Sequence, residues 1–289
     1  MQIMDPRQMI DLHSHILPGL CDGAQDLETS LEMARIAVAD GTTHLACTPH
    51  IYPGAYNNST STIAPALEAL QSELDRRDIP LQLFIGADIH MTPEVIAGLR
   101  SGDIPTLHHS RYFLLEPSHH YPVIDFVDRV GNFIANGYIP VITHPERLDW
   151  IESHYEEMLE VARMGAWLQI TAGAITGDFG KTARAWSRRF LEEGFVHLIA
   201  SDAHGTSKRP PVLSGAVAEA IAITGDEAEV MRAVRERPAA ILENLPTDAV
   251  FTPPGLNGKS AAGTGVPEKP SRPVADQGLF KRIFRGRGQ

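Results

Sequence analysis

The sequence predicts a parallel α/β fold, either a closed barrel or a doubly wound sheet, on three observations. Seven short apolar, β-branched runs alternate with amphipathic helical stretches. Glycines stand where the helices should stop. Histidines and carboxylates gather behind the strand candidates rather than before them, where the active sites of parallel α/β folds form.

The first strand candidate, residues 10–15, ends in His13-Ser14-His15, and alternate strand residues share a face, so both imidazoles can address one ion. Residues 27–39 follow as a helix with Leu27, Leu31, Ala34 and Val38 on one face and Gly41 as its stop; Asp22 lies in the connection. Strand 44–48 runs into Thr48-Pro49-His50, and a helical pattern covers 64–77. Strand 81–85 leads to Asp88, and strand 111–116 ends at Glu116. Helix 123–135 precedes Gly137, and strand 139–143 gives His144 in Thr-His-Pro-Glu-Arg. Helix 155–164 stops at Gly165, and strand 167–171 carries no such group. Helix 182–193 stops at Gly194, strand 196–201 delivers Asp202-Ala203-His204, and 215–223 is a last amphipathic stretch.

Composition limits the rest. Of 289 residues, 43% are apolar, enough for a sizeable core. At a net charge of −11 the chain is not expected to bind nucleic acid. No apolar run approaches the roughly 20 residues that span a bilayer, the N-terminal residues lack the apolar centre of a signal peptide, and Cys21 and Cys47 stand alone. A cytoplasmic protein without disulfides is expected, its cysteines buried by packing. Residues 246–289 hold 6 Pro, 7 Gly and 7 Lys+Arg against 3 Asp+Glu. A folded domain is therefore expected at 5–245, followed by a flexible basic tail at 246–289. Within that tail, Leu279, Phe280, Ile283 and Phe284 would share one face of a short helix ringed by basic residues, suited to an anionic membrane surface or an acidic partner.

Five imidazoles (His13, His15, His50, His144, His204) and four carboxylates (Asp22, Asp88, Glu116, Asp202) would converge at one mouth. Such groups repel and desolvate one another unless cations offset them, so a multinuclear site for Zn²⁺, Mn²⁺ or Fe is expected. His90 follows Asp88 by two and could face the same mouth. His44 and His197 begin strands at the opposite end, and His154 starts a helix at the surface. His108, His109, His119 and His120 read as loop residues, of which His119 or His120 could meet a substrate. Neither cysteine is followed by the Cys-x₅-Arg spacing of cysteine phosphatases, since Leu27 and Pro53 occupy the sixth positions. Gly255-Leu-Asn-Gly-Lys-Ser lacks the four-residue gap of a phosphate loop and has no strand before it.

Asp11-Leu-His-Ser-His-Ile-Leu-Pro-Gly, Asp22-Gly-Ala, Ala46-Cys-Thr-Pro-His-Ile-Tyr, Thr143-His-Pro-Glu-Arg and Ser201-Asp-Ala-His together resemble the polymerase and histidinol phosphatase (PHP) superfamily. They are most similar to its bacterial protein-tyrosine phosphatase branch, the CpsB/YwqE type of capsule and exopolysaccharide loci, over about residues 10–244. The resemblance implies a distorted (β/α)7 TIM-like barrel and three divalent ions, usually Mn²⁺, although nitrogen and oxygen donors also admit Fe, Co or Zn. It implies His13, His15, Asp88 and Asp202 on the first ion, Glu116 and His144 with a bridging Asp88 on the second, and Asp22, His50 and His204 on the third. Arg147 and Arg209 resemble the phosphate-contacting arginines, and His204, His90 or a metal-bound water could protonate the leaving group. The chain departs from the branch at Gly86-Ala-Asp-Ile-His90, where Gly-Gln-Glu-Ile-Arg is usual: the bridging carboxylate is shorter and the basic residue after it is a histidine, so local charge would depend on pH. The implied activity is hydrolysis of phosphotyrosine on a membrane-associated bacterial tyrosine autokinase, which would place the enzyme in the cytoplasm, peripherally at the membrane. Histidinol-phosphate hydrolysis and a non-catalytic docking role are the alternatives.

Overall fold

Seven parallel staves close into a barrel in the computed structural model, which describes residues 8–257. The strands are β1 (Met9–Ser14), β2 (Thr42–Cys47), β3 (His50–Ile51), β4 (Gln82–Ile85), β5 (Asp88–His90), β6 (Tyr112–Glu116), β7 (Ile139–Thr143), β8 (Trp167–Thr171) and β9 (Leu198–Ala200). Hydrogen bonding orders them β1-β2-β4 and β3-β5-β6-β7-β8-β9. The ring closes between its first and last staves: His15 N–H donates to the Ala203 carbonyl at 2.8 Å and Asp202 N–H to the His13 carbonyl at 2.9 Å. Closure settles the choice between barrel and open sheet.

Two staves are broken, which the sequence pattern does not foretell. The second stave is β2 continued by β3, interrupted at Thr48-Pro49, where proline has no N–H to give to a ladder. The third is β4 continued by β5, interrupted at Gly86-Ala87. There Gly86 N–H donates to the Cys47 carbonyl at 3.1 Å and Asp88 N–H to the Pro49 carbonyl at 3.2 Å. A Cβ at residue 86 would meet Leu107 Cδ2 at 2.9 Å and Thr48 Cγ2 at 3.0 Å, so a larger residue would make both side chains shift. After the breaks the staves pair again, with His50 opposite Asp88 and Ile51 opposite Ile89.

The predicted helices are present as Leu27–Asp40, Thr60–Arg76, Phe126–Ala135, Ile151–Met164, Gly180–Glu192 and Ser214–Thr224. Asp26 caps the first, accepting from Thr29 N–H, and Gly41 ends it in the left-handed region at φ 101°. Shorter helices at Val95–Ser101, Ala172–Thr176, Glu227–Met231 and Arg237–Leu242 were not legible as amphipathic runs.

Side-chain alternation then divides the core. Leu45, Cys47, Leu83, Ile85, Phe113, Leu115, Ile142, Leu168 and Ile170 face outward into the helix layer. The opposite parity, with Ile10, Leu12, Tyr112, Leu114, Val141, Trp167 and Leu198, fills the interior. The same inward parity continues upward to Glu116 on β6 and Gln169 on β8, so the barrel is apolar below and polar above. Ala239, Ile241 and Leu242 plug the lower end. They follow a π-turn at Arg232–Glu236, a widening that suits Pro238, whose ring would otherwise meet the carbonyl four residues back.

Arg237 is fully buried at this lower end. Its guanidinium donates to Glu229 at 2.6 Å and to the Phe251 carbonyl at 2.8 Å. The chain beyond 245 is thus part of the packed body: Gly255 N–H also donates to the Gly194 carbonyl at 2.9 Å, and Tyr112 Oη donates to the Leu245 carbonyl at 2.8 Å. The domain boundary expected at 245 moves outward to at least 257. The remainder of the expected tail, including Leu279, Phe280, Ile283 and Phe284, lies outside the described residues. Among the described residues no helix is long and apolar enough to cross a membrane.

Replacing Arg237 with Ala leaves Glu229 Oε1 and the Phe251 carbonyl without this donor, while Arg232 still pairs with Glu229 Oε2. The expected loss is about 1–3 kcal/mol, measured as unfolding midpoint in urea; a loss under about 0.5 kcal/mol would contradict the role assigned to this residue.

Candidate metal centre

The upper ends of the staves deliver all nine sequence-predicted donors to one place. Among the described residues, sets formed by His15, Asp22, His50 and His204, by His13, His15 and Asp88, by His13, His144 and Asp202, and by His50, Asp88 and Glu116 each bring one ligand atom per residue within 4.8 Å of the others. Register explains much of this. His50 and Asp88 are rung partners across β3 and β5, and His90 and Glu116 across β5 and β6. The broken staves are therefore what sets an imidazole beside a carboxylate.

Distances within the cluster set each donor against several others. His13 Nε2 lies 3.2 Å from His15 Nε2, 3.5 Å from Asp88 and 3.3 Å from Asp202 Oδ1. His50 stands between two groups: Nδ1 is 3.3 Å from Asp88 and 3.5 Å from Glu116, while Nε2 is 3.5 Å from Asp22. His204 Nε2 is 3.4 Å from Asp22, and His144 Nε2 is 3.7 Å from Glu116. His119, read from sequence as a loop residue, joins the cluster at 3.2 Å from Glu116 and forms a further set with Glu116 and His144. The available signal was its position three residues after a strand-end carboxylate. His90 also reaches the mouth, 3.9 Å from Glu116, with its ring stacked on Tyr52. His120 instead pairs with Asp149, and His44 stacks on Phe84.

Neighbouring groups fix the rings. Gln169 Oε1 lies 2.8 Å from His13 Nδ1, and the Asp202 carbonyl lies 2.9 Å from His204 Nδ1, so each ring turns its Nε2 to the centre. Cys21 Sγ approaches His15 Nδ1 at 3.3 Å. Its thiol, pushed up to about 11 by burial, is a packing group that also orients a ligand candidate. Asp11 accepts from Ser201 N–H and Oγ, tying β1 to the end of β9. At Gly23 a Cβ would lie 2.0 Å from the His15 carbonyl oxygen, so only glycine lets the Asp22 loop close over His15. His144, Asp202 and Arg209 sit at positive φ of 37°, 51° and 53°, strain of order 1 kcal/mol each concentrated around the site.

Both predicted arginines are present and share two anchors. Arg147 Nη1 donates to Asp202 Oδ2 at 2.5 Å, and Arg209 Nη2 donates to the same oxygen. Their guanidinium carbons lie 4.2 and 5.5 Å from the centre of the Phe179 ring. Phe179 escaped the sequence reading because it lies in a loop and belongs to none of the motifs.

Charge and burial confirm a mismatch that cations would relieve. Burial opposes the charged form of every buried group here, yet Asp202 and Asp88 raise His13 to about 9, and Asp88 with Glu116 raises His50 to about 9. Against the same burial, the His13 ring holds Asp88 and Asp202 well below the usual carboxylate range. Burial drives His15 and His144 well below the usual imidazole range. Asp88 Oδ2, His50 Nδ1, His144 Nδ1 and His204 Nε2 are all buried without a hydrogen bond. Five imidazoles and four carboxylates, all but Asp22 buried or mostly buried, fit divalent ions of the Mn²⁺, Fe, Co and Zn²⁺ class.

Comparison with known proteins agrees with this chemistry. Residues 9–243 match the family described as capsular polysaccharide synthesis, CpsB/CapC. The tyrosine-protein phosphatase YwqE of Bacillus subtilis is 38% identical over 203 residues, which is 70% of this chain and 79% of that protein. A putative tyrosine-protein phosphatase, CapC, of Staphylococcus aureus is 32% identical over 207 residues, 71% of this chain and 80% of that one. A solved structure from work on YwqE of Bacillus subtilis and CpsB of Streptococcus pneumoniae, described as metal-dependent tyrosine phosphatases, superposes with a TM-score of 0.79 at 33% identity. It covers 85% of this chain and 98% of its own.

Without ions, protons on His13 and His50 replace part of the missing positive charge. Their folded values, about 9, stand above the ordinary 6.5, so the stability they contribute is complete below about pH 6.5 and is lost as pH rises through about 9. The melting temperature of chelator-treated protein should fall across that window, and that of ion-loaded protein should fall less; identical pH profiles would refute the charge balance described.

Proposed function

The chain belongs to the CpsB/CapC family of capsular polysaccharide synthesis, and on that premise we propose that it is a metal-dependent protein-tyrosine phosphatase. Its substrate in this reading is phosphotyrosine on a bacterial tyrosine autokinase of capsule or exopolysaccharide synthesis, reached in the cytoplasm at the inner face of the membrane. The observation that carries the reading is the placement of two guanidinium groups beside nine buried or half-buried donors at one barrel mouth. Donors alone would suit many hydrolases; paired arginines add a fork for phosphoryl oxygens.

Three divalent ions would be held by these nine donors in the division the resemblance implies, with His13, His15, Asp88 and Asp202 on one, Glu116, His144 and Asp88 on another, and Asp22, His50 and His204 on the third. When bound, such ions supply a water ionised near neutral pH and positive charge for the phosphoryl oxygens. The protein's own groups do the rest. Asp202 gives Oδ1 to the His13 and His15 side and Oδ2 to both arginines, so the cations that bind and the cations that grip substrate share one carboxylate. A phosphoryl group entering the mouth draws Arg147 and Arg209 from Asp202 toward its own oxygens, while Phe179 keeps both planes in place. His204 Nε2 faces Asp22 and is committed as a donor to an ion, so it is unsuited to protonate the leaving group. His90, stacked on the exposed Tyr52 ring at the rim, is the better acid for the departing phenolate. The exposed Tyr52, stacked on His90, and the exposed Tyr121, two residues after His119, suit a protein chain more than a small phosphate ester.

Ion-loaded protein should hydrolyse a phosphotyrosine peptide, lose that activity on chelation and regain it with Mn²⁺, while turning histidinol phosphate over poorly. His144→Ala should lower turnover at least about 100-fold. Histidinol phosphate as the preferred substrate, or chelator-resistant activity, would overturn the reading. Phe179→Leu keeps apolar bulk but removes the π face, and should lower kcat/KM for an aryl phosphate by about 2- to 30-fold, chiefly through KM. An unchanged KM would refute the platform role.

A further inference from the structure

Beside the mouth, and outside the donor cluster, lies a cavity of about 310 Å³. Arg147 and His119 line it on the side facing the candidate centre, so the two spaces are neighbours. Its apolar wall is formed by Leu148, Phe179 and Trp186. Its polar wall carries three carboxylates, from Glu146, Asp149 and Glu152.

These carboxylates are not equally engaged. Glu146 belongs to the Thr-His-Pro-Glu-Arg motif but takes no part in the mechanism above. Its side chain is 1% exposed; Oε1 accepts from Thr171 N–H at 2.9 Å, while the buried Oε2 has no hydrogen-bond partner. An unpartnered carboxylate oxygen in such a place is costly unless something arrives to meet it. Asp149 takes His120 Nδ1 at 2.8 Å and keeps the rest of its carboxylate exposed. The Glu152 carboxylate has no partner among the described residues. Arg147, the cation of this cavity, is already engaged by Asp202 and Phe179. An anion is therefore disfavoured here, and a neutral aromatic group would leave the carboxylates unmet.

We propose that this cavity is a specificity subsite for the side chain of an arginine or lysine lying one to three residues from the phosphotyrosine of the substrate. The aliphatic stem lies against Trp186 and Leu148, and the cationic head meets the carboxylates of Glu152 and Glu146. This proposal rests on the phosphotyrosine-protein reading and adds the sequence context that reading leaves open.

The test scans Arg, Ala and Glu through the three positions on each side of phosphotyrosine in a synthetic peptide. Each peptide is turned over by Mn²⁺-loaded full-length protein, with a small aryl phosphate as reference. Arg at one position or more should raise kcat/KM roughly tenfold over Ala, Lys should do likewise there, and Glu should lower it. Glu152→Gln, an exposed and fold-neutral change, should shrink that preference, and Glu152→Gln with Trp186→Ala should bring the Arg/Ala ratio close to one. Turnover of the aryl phosphate should stay the same in both variants. Equal rates for Arg, Ala and Glu peptides, or a preference that survives the double variant, would overturn the subsite while leaving the phosphatase reading intact. Failure to turn over any phosphotyrosine peptide or the aryl phosphate overturns that reading and the subsite with it.

Discussion

Asp202 divides its two oxygens between two charged systems, and the rest of the mouth is organised around that division. One oxygen faces the imidazoles of His13 and His15 at 3.3 and 3.4 Å; the other holds Arg147 and Arg209. A carboxylate 1% exposed and surrounded in this way is stable only because positive partners stand on both sides. Strand closure makes it possible. The hydrogen bond from Asp202 N–H to the His13 carbonyl joins the first and last staves at the very rung that carries the ligands. Fold and chemistry thus meet in one residue, held at φ 51° by its surroundings.

Much of this was readable in the sequence, and for identifiable reasons. Period-2 and period-3.6 patterns gave the seven staves and the main helices, the rule that strand ends carry chemistry gathered the nine donors, and the family resemblance pointed to both arginines. What stayed hidden depends on contacts between distant residues. The breaks at Pro49 and at Gly86-Ala87 create a second short pairing between staves, and no local pattern announces that His50 will face Asp88. His119 and Phe179 lie in loops, where periodicity says nothing, and their roles follow from Glu116 and from the two guanidinium groups.

The lower end shows the opposite kind of surprise. A segment rich in Pro and Gly was expected to leave the domain at 246, yet it is held to 257 by main-chain hydrogen bonds at Phe251 and Gly255. Composition measures how little apolar surface a segment offers for burial, whereas carbonyls can be captured by a buried guanidinium whatever side chains they carry. Arg237 does this, and it also explains how short helices of weak amphipathicity form a firm floor.

That floor has a consequence for traffic. Among the described residues, Ala239, Ile241, Leu242 and Arg237 stop the barrel below, which leaves the upper rim for exchange with solvent. On the proposed reading, substrate and both products would share that rim. On the same reading the paired guanidinium groups would hold inorganic phosphate as well as substrate, and Asp202, which pairs with both arginines, would compete with phosphate for them and favour its release.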